Sequence, residues 1–176
     1  MRTYRRGRLL GLEVSATPLT LVGTVILWLL VGMVAHRALA MPLLQTVLAG
    51  FFGAALWWLI ELVHQLGHAV AARSTGHPMA GIEFGQFALF ARSIYPADEP
   101  DLPARVHIRR ALGGPAASLA LGAAAGLTAL VVPAHGLAWW AALYIAAVST
   151  LVMGLGALLP LGFTDGSTLV AWWGRR

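Results

Sequence analysis

An all-α membrane protein with about four transmembrane helices is the fold class this sequence predicts, and three observations carry it. Hydrophobic residues make up 59% of the 176 and charged residues only 11%, with a mean hydropathy of +0.76, so a water-soluble domain would lack the polar residues to cover its surface. Four apolar runs are each long enough to cross the bilayer hydrocarbon, which takes about 20 helical residues. The basic residues, all arginine, gather in segments that four crossings bring to one side.

The opening MRTYRRGRLL is basic, and the apolar run after it is longer than a signal-peptide core and lacks a small-residue cleavage site. It reads as a first span over residues 17–35. The second span falls within 43–72, the third over 111–132 and the fourth over 137–159, where Pro160 stops it. Between the second and third lies the polar segment 73–110. Its first part, GIEFGQFALFARSIY, predicts two short strands separated near Gly85, a β-hairpin-like piece, and the Pro-rich YPADEPDLP a linker. Residues 1–176 are expected to form a single membrane-embedded core domain, with 73–110 as its cytoplasmic loop.

Orientation follows from the arginines. With the N terminus inside, Arg2, Arg5, Arg6 and Arg8, then Arg73, Arg92, Arg105, Arg109 and Arg110 in the middle loop, and finally Arg175 and Arg176 are cytoplasmic, leaving Arg37 outside. Both termini are therefore expected in the cytoplasm, and the membrane is expected to be a prokaryotic plasma membrane. Trp172 and Trp173 fit an inner interfacial belt, and Trp139 and Trp140 an outer one. The partners expected are the lipid bilayer and another transmembrane protein, with no nucleic acid.

The absence of cysteine excludes disulfides, thiolate metal sites and Cys nucleophiles, so any metal is held by His and carboxylate. The stretch ELVHQLGHAV, at the cytoplasmic end of the second span, supplies such groups. On a helix His64 and His68 point about 40° apart and Glu61 about 60° from His64, so all three share one face. Ionisable residues at membrane depth are costly and normally face a protein interior or a water-filled cavity. Two His at i and i+4 suit one Zn²⁺, which wants a third protein ligand and an open position. Asp165, in LLPLGFTDGSTL, follows the helix-breaking Pro160 and Gly162 and comes to the same side of the membrane. A His pair hydrogen-bonded to neighbouring helices is the alternative. In the third span Gly114, Ser118, Gly122 and Gly126 recur every four residues, which predicts a close approach to the His-bearing helix.

Three elements, His64-Gln-Leu-Gly-His68, Gly114-Pro-Ala-Ala-Ser118 and Ala157-Leu-Leu-Pro160 with Asp165-Gly166 after it, occur in the order found in the site-2 protease family of intramembrane zinc metalloproteases, which the chain resembles over about 50–170. The resemblance implies Zn²⁺ held by His64, His68 and Asp165, and a strand region at 81–95 on which an extended single-span substrate adds by backbone pairing. Two positions depart from the family pattern. Gln65 stands where the family has its general-base Glu, and Ala157 where it has Asn. An amide cannot take and hand on a proton. Gln65 is thus open to three explanations: an engineered trap, a natural non-proteolytic relative that binds zinc or a membrane partner, or an enzyme in which Glu61 supplies the carboxylate. Glu61 is equally placed to support a ligating His. A membrane haem site, or a bundle handling metal or protons, is the further alternative from a different class.

Overall fold

The computed structural model describes residues 4–175, with side chains from residue 7 onward; Arg2 and Arg176 of the orientation argument lie outside them. The helices are α1 (Leu19–Leu39), α2 (Leu43–Ser74), α3 (Ala104–Val131), α4 (Leu137–Ala147) and α5 (Asp165–Trp172). The helix begun by α4 continues as π-helical turns over Val148–Leu155 and a 3₁₀ turn over Gly156–Leu158. Four of these helical stretches, with α4 and its continuation counted as one, are long and apolar enough to cross a membrane. Burial runs opposite to that of a soluble protein. Leu21, Leu29, Leu127 and Leu130 are exposed, whereas Glu61, His64, His68, Ser118 and Ser149 are buried, as expected when lipid is the solvent and polar groups turn inward. This is an integral membrane protein.

The chain forms two compact units. The first, residues up to Glu61 together with Gly81–Ile94, holds the strands β1 (Tyr4–Leu9), β2 (Leu12–Ala16), β3 (Gly81–Gln86) and β4 (Phe90–Ile94) in one sheet of order β1-β2-β3-β4. The hairpin β1–β2 is an addition to the sequence reading, which took this stretch as a basic lead-in to the first span. Its two turn residues, Leu10 and Gly11, both have positive φ, the backbone that matches the twist of a tight hairpin. β2 pairs parallel with β3, Val14 opposite Ile82, and β3 antiparallel with β4, Glu83 opposite Arg92. The two predicted strands at 81–95 are present, but the chain turns at residues 87–89. Gly85 lies inside β3 at a register shift, with φ +99°, and is a bulge residue. A Cβ there would lie 2.7 Å from Thr20 Oγ1, so the start of α1 sits directly over it.

The second unit comprises Leu62–Ala80 and the chain from Tyr95 onward. α3 begins at Ala104, ahead of its apolar run, so Arg105, Arg109 and Arg110 occupy its first two turns rather than a loop. The small-residue stripe does not serve a single neighbour. Gly114 does face the His-bearing α2, where a Cβ on it would lie 2.5 Å from His64 Nε2, whereas Gly122 faces Thr150 of the π-helical turns and Gly126 faces open space. Trp172 stacks on His107 at 4.0 Å and 5°, and Trp173 is exposed.

Candidate metal centre

The second unit gathers His64, His68 and Asp165. On α2 the two His lie one turn apart, both about 5% exposed, with rings edge to face. Their Nε2 atoms are 3.0 Å apart. Asp165 spans them, Oδ2 at 3.3 Å from His64 Nε2 and Oδ1 at 3.3 Å from His68 Nε2. Zinc bonds of about 2.0–2.1 Å to nitrogen and oxygen at tetrahedral angles require ligand atoms about 3.3 Å apart. The three donors stand at the spacing of one tetrahedral face.

The other ring nitrogens fix how these donors are presented. His68 Nδ1 lies 2.8 Å from the carbonyl oxygen of Arg110. A carbonyl only accepts, so Nδ1 carries the hydrogen and Nε2 the lone pair. The Gly114 N–H, 3.2 Å from the same Nδ1, is the weaker contact and is incompatible with that tautomer. His64 Nδ1 lies 3.0 Å from Ser118 Oγ, a hydroxyl that is fully buried and able to accept. Three lone-pair donors converging in a buried site repel one another unless a cation stands between them.

Gly114 keeps the centre clear. A Cβ on it would lie 2.5 Å from His64 Nε2 and closer still to His68 Nε2, so any other residue would fill the space onto which the donors converge. This clearance and the donor set both fit a single small cation.

Asp165 arrives by a different route. Leu159 leaves the helical backbone, and the loop after it is tied by Gly162 N–H to Ser167 Oγ at 2.7 Å, Leu161 N–H to Thr164 Oγ1 at 3.2 Å, and Thr164 Oγ1–H to Leu159 O. α5 then starts at Asp165. A Cβ on Gly166 would lie 2.8 Å from the Leu159 carbonyl carbon, so this short helix is seated directly on the end of the fourth span. Among the described residues His64, His68 and Asp165 are one group of three His, Asp or Glu at metal-binding separation.

Two predicted site residues have other surroundings. Gln65 is buried on α2. Glu61, in the first unit, accepts the Ala91 N–H of β4 at 2.9 Å, and Trp57, one turn earlier, donates to Leu89 O at 2.7 Å. The support of the His Nδ1 atoms comes from Ser118 and a main-chain carbonyl. Sequence reasoning did not foresee either, although the four-residue spacing of Ser118 from Gly114 was a usable signal.

Comparison with known proteins bears on this geometry. No protein-family model matches the chain. A protein of Mycobacterium tuberculosis assigned as zinc metalloprotease Rip3, in strains Erdman and H37Rv, is 34% identical over 175 residues, covering 93% of this chain and 42% of the relative. The site-2 protease from Methanocaldococcus jannaschii superposes with a TM-score of 0.65 at 16% identity, over 96% of this chain and 70% of that one. The chain has the site-2 protease fold. It resembles the archaeal site-2 protease in fold and the mycobacterial metalloprotease in sequence, and it spans about two fifths of the length of Rip3.

Proposed function

We propose that this chain is the core of an intramembrane zinc metalloprotease-like protein that receives single-span membrane proteins, and that Gln65 leaves it binding them with cleavage lost or strongly impaired. The observation that carries the reading is the convergence of His64, His68 and Asp165 over Gly114. Zinc, when bound there, supplies a Lewis acid and activates water near neutral pH. The residues of the chain do the rest. The Arg110 carbonyl holds His68 with Nε2 unprotonated, Ser118 orients His64 through its Nδ1, and Asp165 neutralises charge.

The proton-transfer role is where the chain falls short. The Gln65 amide neither takes nor returns a proton, and loss of a positioned general base costs roughly 10²- to 10⁴-fold in rate. Glu61 does not replace it in this reading, because its carboxylate is committed to the Ala91 N–H. Ala157 further removes a polar side chain that could orient substrate. An extended substrate segment would add to an edge of the four-stranded sheet, away from the Ala91 N–H of β4 that Glu61 already occupies. A haem is disfavoured: both Nε2 atoms and a carboxylate point at one spot, with no room for a macrocycle between them. The arginine distribution supports cytoplasmic termini.

The test compares the chain with Gln65→Glu on a panel of single-span substrates, measuring zinc in parallel. One zinc per chain in both, with cleavage in Gln65→Glu alone, is expected. Cleavage by the unaltered chain that disappears in Glu61→Gln would overturn the assignment of Glu61, and absence of zinc from both would overturn the metal centre.

A further inference from the structure

Arg110 is a charged side chain about 5% exposed, on the first turns of α3, and the metal chemistry above uses only its carbonyl. Its guanidinium is heavily engaged. It donates to Glu99 through two nitrogens, at 2.9 and 2.5 Å, and to the main-chain carbonyl of His77 at 2.6 Å. It also lies over the ring of Tyr95, 4.1 Å from its centroid. These partners come from three separate places: the turn after α2, the start of the 95–103 segment, and its middle. A bidentate, planar fork of this kind fixes orientation as well as position, which a lysine cannot do.

The same residue faces the metal ligands with its backbone. Its carbonyl oxygen takes the Nδ1–H of His68 at 2.8 Å, and the helix around that carbonyl is weakened by Pro115, which removes the N–H that would bond Ala111. The missing bond is that of the neighbouring Ala111 carbonyl, so the first turns of α3, and with them the Arg110 carbonyl, are held in part by contacts from outside the helix. We propose that Arg110 is a positioning residue for the metal: its side chain locks α3 to Glu99, His77 and Tyr95, so that its own carbonyl keeps His68 in the Nε2-ligating tautomer and orientation. The inference rests on the metal-centre reading and adds to it a support that reaches the ligand through the main chain.

The test uses Co²⁺ as a spectroscopic substitute for zinc in the purified full chain. Partners that orient a ligating His typically contribute 10- to 100-fold in metal affinity. Arg110→Gln and Glu99→Gln are each expected to weaken Co²⁺ binding about 10-fold or more and to shift the visible d–d bands, while Arg110→Lys fails to restore the native spectrum. Arg105→Gln, an exposed neighbour on the same helix, is the control expected to match the unaltered chain. Glu99→Gln, at a partly exposed site, keeps the test decisive if Arg110→Gln does not fold. If the unaltered chain takes Co²⁺ and the Glu99→Gln and Arg110→Lys variants share its affinity and spectrum, the positioning role is overturned and the metal centre stands. If the unaltered chain takes no Co²⁺, the metal centre itself falls.

Discussion

Replacing Gly114 by alanine adds one methyl group at the point onto which the donors converge. The new Cβ would lie 2.5 Å from His64 Nε2 and nearer to His68 Nε2, against an ordinary contact of about 3.5 Å. About 1 Å must be found, either by swinging both imidazoles away or by pushing α3 off α2. The second route is resisted one residue earlier, where Gly113 and Gly67 are already in backbone contact. A ligand constellation tolerates about 0.5 Å of displacement, so the metal is expected to suffer most. Zinc affinity should fall at least 100-fold, about 2.7 kcal/mol, while overpacking destabilises the fold by about 1–3 kcal/mol. Competition with a chromophoric chelator, with zinc content determined by mass spectrometry, measures the first. Gly126→Ala is the matched control, because nothing lies within 4 Å of its Cβ; it should keep its zinc and gain up to about 1 kcal/mol from helix propensity. A folded Gly114→Ala protein holding zinc as tightly as the original would refute the geometry on which the site is built.

Three further outcomes are expected. Trp172→Ala removes the stack on His107, worth about 0.5–1.5 kcal/mol. An eight-residue helix cannot hold itself in place, so zinc affinity should drop several-fold with Trp172→Ala and recover with Trp172→Phe; identical chelator titrations for all three would contradict this. Glu61→Leu strips the Ala91 N–H of its acceptor, a loss of about 1–3 kcal/mol, whereas Glu61→Gln keeps an oxygen there. Hydrogen exchange in the β4 peptide should quicken in the first variant alone, and equal protection in both would count against the contact. The Glu99 carboxyl is held below its ordinary value of 4.5, chiefly by the hydrogen bond from Arg110. A carboxyl lowered on folding contributes stability that is complete above the unfolded value and lost as pH falls through the folded one. Melting temperature should therefore decline as pH drops below about 4.5, less steeply in Glu99→Gln, and parallel profiles would remove the pair from the account.

How much was legible in the sequence depended on whether the signal was local. His64 and His68 are fixed relative to each other by helix geometry alone, and the spans by apolar length, so both could be read directly. Asp165 was readable as a residue, but α5 was not, because eight residues after a proline carry too little periodicity to be told from a loop. β1 was hidden by Arg5, Arg6 and Arg8, which read as an inner flank of a span. Its neighbour β2 owes its place to pairing with residues about seventy positions away, which no local pattern encodes. The start of α3 was set late for a similar reason: hydropathy marks lipid contact, and the charged first turns of α3 are held by Glu99 and Tyr95 instead. Ser118 was visible within a spacing of small residues, yet its bond to His64 required knowing which neighbour that face meets.

The parallel pairing of β2 with β3 also settles a question of sidedness. Glu13–Ala16 and Gly81–Phe84 are hydrogen-bonded partners in one sheet, and between them the chain makes two crossings, α1 and α2. A strand cannot bond its neighbour through a bilayer, so the outgoing and returning spans are stitched at their ends by main-chain bonds. Whichever way the protein inserts, the amino-terminal hairpin and residues 81–94 stay in the same compartment. A reporter placed on one therefore gives the side of the other, and a charge swap at the N terminus could only invert the pair together or break the sheet.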